Sequence, residues 1–179
     1  HPKITIITND KEQPFKIAHW GLIAPWAKSV EAGKQFWNKT LNAKSETMFE
    51  KNSYRASAKN KRCLIVVDGF YEHHHIGKSK YPFFIHGKSP LLLGGLWSSI
   101  SRSDGTITTF SICTTKGNQL LSKIHNNPKM NEARMPVILN EELGKQFISI
   151  DAEDKAGKAA ILELCAPNDL ALKSYPVHT

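Results

Sequence analysis

The chain has 179 residues, a length typical of one domain. With 40% hydrophobic and 22% charged residues, the composition excludes a disordered chain, a collagen and a coiled coil, and no apolar run is long enough to span a membrane. The 24 basic residues against 16 acidic ones give a net charge of +8, which favours a polyanionic partner such as nucleic acid, although a basic surface without such a partner is an equal alternative.

Along the chain, the apolar pattern predicts many short strands and a few helices. Strands are predicted at 4–8, 15–23, 63–74, 81–86, 91–97 and 107–114, and helices at 30–38, 116–124, 141–150 and 154–164. Residues 77–80 are predicted to close a hairpin over 69–86, and 87–90 and 102–105 are predicted as further turns. This order predicts an α+β fold with a curled antiparallel sheet or β-barrel and peripheral helices. Because a strand follows almost directly on His1 and no polar tail follows the last strand-like residues, we expect the natural protein to extend beyond both ends.

The segment Gly-Phe-Tyr-Glu-His-His-His at 69–75 is the first candidate for chemistry. Side chains alternate between the faces of a strand, so Phe70, Glu72 and His74 share one face. If Phe70 faces the interior, Glu72 is drawn in beside it, which suits a general acid or base; the alternative is an exposed carboxylate. The three histidines also allow a metal site, but no further ligand has a familiar spacing, so we predict a solvated hairpin edge and no metal.

Three other polar residues are candidates for a site. Asn42 offers both a donor and an acceptor and could orient a nucleophile, although the segment alone favours a helix cap. His125 lies where a predicted helix gives way to a loop and can transfer protons near neutral pH, although a lone histidine is more often structural. Arg134 precedes a predicted extended segment and could bind a phosphate.

Tryptophans and basic residues alternate near the start of the chain. Trp20 and Trp26 could stack on nucleobases while nearby lysines follow the phosphates, or they could simply pack against the core. Four more basic residues would extend such a surface: Lys44, Arg55, Arg62 and Arg134.

The three cysteines, Cys63, Cys113 and Cys165, lie far apart and form no CxxC pattern. This spacing predicts free thiols in a reducing compartment, and hence a cytoplasmic protein. A cysteine nucleophile paired with His125 is a weaker hypothesis, because Cys63 and Cys113 lie in apolar runs where burial makes a thiol unreactive.

Taken together, four blocks resemble the motifs of one family, the SOS response-associated peptidases, or SRAP domains. Residues 20–26 read WGLIAPW and resemble its WGLIPxW block, and residues 42–47 read NAKSET and resemble NARxET. Residues 62–64 read RCL and lead into GFYE at 69–72, which resembles RCLxPxxGFYEW. Finally, His125 precedes RMPVIL at 134–139, which resembles HxRMPxIL. The resemblance spans residues 20–139 and implies a single SRAP domain over 1–179.

The resemblance implies a protein that binds single-stranded DNA and single-strand/double-strand junctions and responds to DNA damage. It implies covalent capture of abasic sites by an N-terminal cysteine, exposed by self-processing, whose amine and thiol close a thiazolidine ring on the deoxyribose aldehyde. Glu72 matches the catalytic carboxylate, His125 the proton-shuttling histidine, and Asn42 the asparagine that positions the cysteine. DNA contacts are implied for Trp20, Lys44, Arg55 and Arg134. We expect no cofactor, no membrane partner and a monomer.

The chain departs from the family pattern in ways that keep two alternatives open. Residue 2 is Pro2, and no cysteine occupies the family's nucleophile position, so we expect an upstream segment beginning Met-Cys. Lys44 replaces an arginine, His73 replaces a tryptophan, and residues 127–133 are inserted between His125 and Arg134. The alternatives are a module that binds single strands without chemistry, and a peptidase whose target is its own N-terminus or another protein.

Overall fold

The structure is a computed structural model that describes residues 1–128, 130–168 and 171–177. These residues form nine strands: β1 (Lys3–Thr8), β2 (Phe15–Trp20), β3 (Asn42–Lys44), β4 (Arg62–Ile76), β5 (Ser79–Arg102), β6 (Gly105–Lys116), β7 (Arg134–Pro136), β8 (Ile138–Leu139) and β9 (Lys173–Pro176). Five of them close a barrel in the order β6–β2–β1–β4–β5, because β5 pairs back onto β6. The other four extend the barrel: β3 and β7 pair with β6, and β8 and β9 pair with β5.

Short helices surround the barrel. In the described residues they are α1 (Val30–Lys34), α2 (Arg55–Asn60), α3 (Gln119–Ile124), α4 (Glu141–Ser149) and α5 (Lys155–Leu164), with 3-10 turns at Trp37–Lys39 and Ser45–Thr47. Four of the five begin at a side chain that accepts a hydrogen bond from a first-turn N–H, namely Ser29, Asn118, Asn140 and Asp154. None of the helices in the described part of the chain has the length and apolar character needed to cross a membrane.

The predicted α+β barrel with peripheral helices is confirmed, with local corrections. The sheet is mixed, because β2 and β3 both run parallel to β6. The predicted turn at 87–90 is wrong: β5 continues through it, and the extra residues form a bulge, since Val67 pairs with Leu91 while Gly69 pairs with His86. A Gly-Lys-Ser-Pro segment fits a bulge as well as a turn. The helix predicted from Lys116 begins three residues later, because Lys116 is still paired in β6.

The barrel interior positions the elements that carry the candidate site. Its buried core includes Ile65 of β4 and Phe110 of β6, and Phe70 packs against the same core. Leu121 and Ile124 of α3 insert into it as well. This apolar contact anchors the carboxyl end of α3 next to the far half of β4, which is where the polar side chains of interest meet.

Arg62 lies at the start of β4 and has no exposed surface. Its guanidinium donates to the carbonyls of Ala58 and Lys59, at the end of α2, and to those of Phe147 and Ile150, at the end of α4. Carbonyls at helix carboxyl ends lack partners within the helix and attract cations, so Arg62 caps two helices at once. The prediction that Arg62 contacts DNA is therefore wrong, because its donors are used inside the protein.

Candidate active site

A glutamate and a histidine distant in sequence meet at one side of the barrel. Oε2 of Glu72 lies 2.9 Å from Nδ1 of His125, and only 24% and 12% of the two side chains are exposed. Glu72 shares its face of β4 with Phe70 and His74, as the alternation predicted, while Tyr71 points to the opposite side and is exposed. The partial burial strengthens the electrostatic contact between the carboxylate and the imidazole.

The backbone around His125 is tied to β4 at several points. His125 ends α3 and donates its N–H to the carbonyl of Leu121. The side chain of Asn126 donates to the carbonyl of His75 at 2.8 Å and accepts from the N–H of His75 at 2.7 Å. Nδ1 of His74 lies 3.1 Å from the carbonyl of Ile124. These contacts hold the imidazole against the carboxylate, because the residues on each side of His125 are fixed to β4.

The hydrogen bonds of the pair indicate which proton it can move. Oε1 of Glu72 accepts the N–H of His73 at 2.8 Å, so both carboxylate oxygens are engaged. A carboxylate at Nδ1 favours the tautomer with the proton on that nitrogen, which makes Nε2 an acceptor. Nε2 of His125 is buried and has no hydrogen-bond partner among the described residues. A buried polar atom left unpaired is costly unless a bound molecule satisfies it. With Nδ1 bound to Glu72, Nε2 is the ring nitrogen left to accept a hydrogen bond.

The pair forms part of the wall of an open groove of about 340 Å³. Six of the eight residues that sequence analysis proposed for the site line it: Trp20, Asn42, Lys44, Glu72, His125 and Arg134. The groove is also lined by Tyr71, Ile112, Thr114 and Met130, which the sequence analysis did not select for the site. The two proposed site residues that do not line the groove are Arg55, which is exposed at the start of α2, and Arg62, which is buried.

Asn42 opens β3, and its prediction as a helix cap is wrong. Its backbone pairs beside Ile112 of β6, and its carbonyl accepts a 3.0 Å hydrogen bond from the hydroxyl of Tyr54. The following 3-10 turn has no side-chain cap. The backbone of Asn42 is therefore held by β6 and Tyr54, while its residue lies exposed at the groove, where the amide can contact a ligand.

The aromatic wall of the groove is fixed from behind. Nε1 of Trp20 donates to the carbonyl of Leu41 at 2.8 Å, and the indole stacks near Phe110 with 6.5 Å between ring centroids. Trp20 therefore packs on the core with one part while another part lines the groove, so its packing role is confirmed and base stacking stays a prediction. Trp26 is 59% exposed and lines a separate apolar pocket beside α1.

Arg134 in β7 is nearly buried and already carries counter-charges. Its guanidinium binds Glu46 through both terminal nitrogens, at 2.7 and 2.8 Å, and also contacts Glu132 at 3.1 Å and the carbonyl of Thr114 at 2.8 Å. The hydrogen bonds from Arg134 hold the pKa of the Glu46 carboxyl below its usual range. Arg134 is thus locked in orientation at the groove wall, and a phosphate there would have to share it with two carboxylates.

The cysteine and metal hypotheses find no support in the geometry. Cys63 and Cys113 are fully buried, and burial raises the pKa of both thiols, so neither supplies a thiolate near neutral pH. Neither of them lines the groove. Within residues 1–128, 130–168 and 171–177, no three of the histidine, cysteine, aspartate and glutamate side chains come together as metal ligands.

Comparisons with known proteins identify the family of the chain. The family model of the SOS response associated peptidases (SRAP) matches residues 1–179. The chain is 37% identical over 150 residues to the abasic site processing protein YoqW of Bacillus subtilis, covering 82% of this chain and 62% of that protein. It is 30% identical over 154 residues to the abasic site processing protein HMCES of Xenopus tropicalis, covering 74% of this chain and 44% of that protein.

Solved structures show the same fold. A crystal structure of a Bacteroides thetaiotaomicron protein superposes with a TM-score of 0.86 at 31% identity, covering 99% of this chain and 74% of the other. A Bordetella bronchiseptica protein, at 22% identity, superposes with a TM-score of 0.81 and covers 99% and 84% respectively. The chain therefore belongs to the SRAP family. It spans less than two thirds of the length of the Bacillus relatives that it matches.

Proposed function

We propose that this chain carries the proton-transfer site and the DNA groove of an abasic-site processing protein. In this proposal, an N-terminal cysteine of the natural protein captures the aldehyde of an abasic site in single-stranded or junction DNA. The contact that carries the proposal is the 2.9 Å pair of Glu72 and His125 in a groove that also presents Asn42 and Lys44. The relatives named abasic site processing proteins and the net charge of +8 support the same substrate.

The proposed chemistry needs protons moved at defined steps. The closed sugar must lose the proton of its C1′ hydroxyl and gain one on its ring oxygen before the aldehyde is free. The cysteine amine then adds to the aldehyde and expels water, leaving a C=N bond. The thiol adds across that bond and its proton moves to nitrogen, so the overall reaction releases one water. Glu72 and His125 supply and remove these protons, which is the role of a general acid and base.

The remaining groove residues hold the DNA and the cysteine end in this proposal. Asn42 positions the cysteine through its amide, and Trp20 contacts a base or sugar with its indole. Lys44 and Arg134 lie near the phosphates, and Arg55 extends the basic surface beyond the groove. The protein acts as a monomer in the cytoplasm, a compartment that suits its three free thiols.

The test uses the natural full-length protein and a single-stranded oligonucleotide with one abasic site. A denaturing gel should show a shifted covalent band that disappears when the N-terminal cysteine is replaced by alanine. Glu72→Gln should slow formation of the band by about 100-fold, since general acid–base catalysis contributes at least that much. Glu141→Gln, an exposed helix carboxylate, is the matched control and should behave as wild type. A band that forms at the wild-type rate with Glu72→Gln contradicts the proposed role of the pair.

A second candidate is a module that binds single strands without chemistry, and the aromatic and basic lining of the groove by Trp20, Lys44 and Arg134 suits it. This function predicts no covalent band, together with binding that weakens steeply with salt and is unchanged in Glu72→Gln. Mass spectrometry of the mature N-terminus addresses the self-processing peptidase, because an intact methionine excludes both self-processing and cysteine capture.

A further inference from the structure

The outer face of the sheet beside the groove carries four rings, Tyr71, Phe84, His86 and Tyr175, which we call the aromatic patch. Tyr71 of β4 pairs with Phe84 of β5, which pairs with Tyr175 of β9, so three rings form one row across three strands. Their centroids lie 5.1 and 5.7 Å apart, and His86 stacks on Phe84 at 5.9 Å. Tyr71 is 62% exposed and Tyr175 51% exposed, so the row presents aromatic surface to solvent.

A glycine beneath the patch leaves room for the ring of Phe84. A Cβ on Gly69 would stand 2.6 Å from the ring of Phe84, a distance that side-chain atoms do not tolerate. Aromatic rings that cover a glycine on the neighbouring strand are a known way to stabilise sheets. Phe84 therefore lies at the centre of the patch, and the two exposed tyrosines at its sides remain available for contacts.

The charge on this face is positive. Lys173 pairs with His86 at one end, and Lys80 pairs with His75 at the other, and both lysines are exposed. Residues of β4, β5 and β9 that share the face with the patch, within 69–86 and 173–177, include no aspartate or glutamate. Aromatic rings bordered by lysines without carboxylates are typical of surfaces on which bases stack while phosphates are neutralised.

The patch is continuous with the groove. Tyr71 belongs to the patch and also lines the groove, and it is the chain neighbour of Glu72. A strand leaving the groove past Tyr71 would meet Phe84 and Tyr175 next, over two strand spacings of about 10 Å in total. We propose that the aromatic patch is a second binding area for single-stranded nucleic acid, in which bases stack on Tyr71 and Tyr175 and Lys173 contacts a phosphate. This inference rests on the proposed function and adds to it a defined path for the strand.

The test compares oligonucleotides of two lengths on the full chain by fluorescence anisotropy. A thymidine oligomer of about 4 nucleotides fills the groove alone, whereas one of about 16 extends over the patch. Tyr175→Ala should weaken binding of the long oligomer about tenfold, which is the effect of losing one stacked base. The ratio of the affinity for the long oligomer to the affinity for the short one should therefore fall. Tyr175→Phe should restore this ratio, because the ring and not the hydroxyl makes the contact.

The control and the contrary outcomes separate this proposal from the function on which it rests. Phe15→Ala removes a ring that is 67% exposed on β2 and should leave the ratio at the wild-type value. Suppose instead that Tyr175→Ala keeps the wild-type melting temperature and binds the long oligomer with the wild-type affinity. This result overturns the proposal for the aromatic patch but not the proposed function, and leaves this face for a protein partner. Failure of the wild type to bind either oligomer overturns both proposals.

Discussion

Glu46→Gln tests how strongly the groove depends on the ion pair behind it. The substitution keeps the size of the side chain but removes the charge that holds Arg134, whose side chain is only 8% exposed. Breaking a buried pair costs about 3–5 kcal/mol, but Glu46 is 39% exposed and Glu132 remains as a second carboxylate. Solvent screening and this remaining partner reduce the cost, so we expect a loss of about 2 kcal/mol in the free energy of unfolding.

The pH dependence has a definite sign. Arg134 lowers the pKa of Glu46 in the folded protein below its ordinary value of 4.5. A carboxyl with a depressed folded pKa stabilises the fold fully above its unfolded pKa, and this contribution is lost as the pH falls through the folded value. The difference in stability between wild type and Glu46→Gln should therefore be constant near neutral pH and should shrink below about pH 4.5.

Urea unfolding followed by tryptophan fluorescence measures both effects. Glu141→Gln is the matched control, because Glu141 and its partner Lys145 are 81% and 72% exposed and their pair should add little. A variant at Glu46 that unfolds at the same urea concentration as the Glu141 variant at neutral pH refutes the reasoning. So does a difference that grows as the solution is made more acidic.

Three further predictions concern other parts of the molecule. Arg62→Leu should lower the free energy of unfolding, measured by urea titration, by at least about 3 kcal/mol, because the carbonyls at two helix ends lose their donor. A loss below about 1 kcal/mol contradicts the capping role. Cys63 and Cys113 should react with a thiol reagent only after unfolding, at the global unfolding rate, and rapid labelling of the native protein would show that they are accessible. Asn126→Ala should slow abasic-site crosslinking about tenfold while leaving binding of intact DNA unchanged, whereas an Asn126 with only a structural role would change stability alone.

Period-two alternation was enough to place Glu72 beside Phe70, because that is a local property of one strand. The meeting of Glu72 with His125 could not be derived from spacing. It needs α3 to dock through Leu121 and Ile124, a contact between elements some 50 residues apart in sequence. Only the resemblance to the SRAP motifs indicated that these two residues belong to one site.

The wrong or missing predictions for individual side chains have related physical causes. Asn42 looks like a cap because its segment contains good capping residues, but the parallel pairing of β3 with the distant β6 overrides that local preference. Arg62 looks like a DNA contact because a basic charge alone does not show which way the side chain points. Asn126 stands next to His125 and could have been noticed, yet its clamp on His75 depends on a loop geometry that no motif encodes.

The register shift between Val67 and Gly69 decides which face of β4 meets the groove. Before it, Cys63, Ile65 and Val67 contact the barrel interior, and strict alternation would then turn Gly69 and Tyr71 inward. The register shifts between Val67 and Gly69, so the inward series resumes at Phe70 and reaches Glu72. Without this shift in the alternation of β4, Tyr71 would face inward in place of Glu72. A substitution near the register shift would change one side chain of the site. An insertion or deletion of a single residue there would instead turn the face of β4 that carries Tyr71 toward the groove and the face that carries Glu72 away from it.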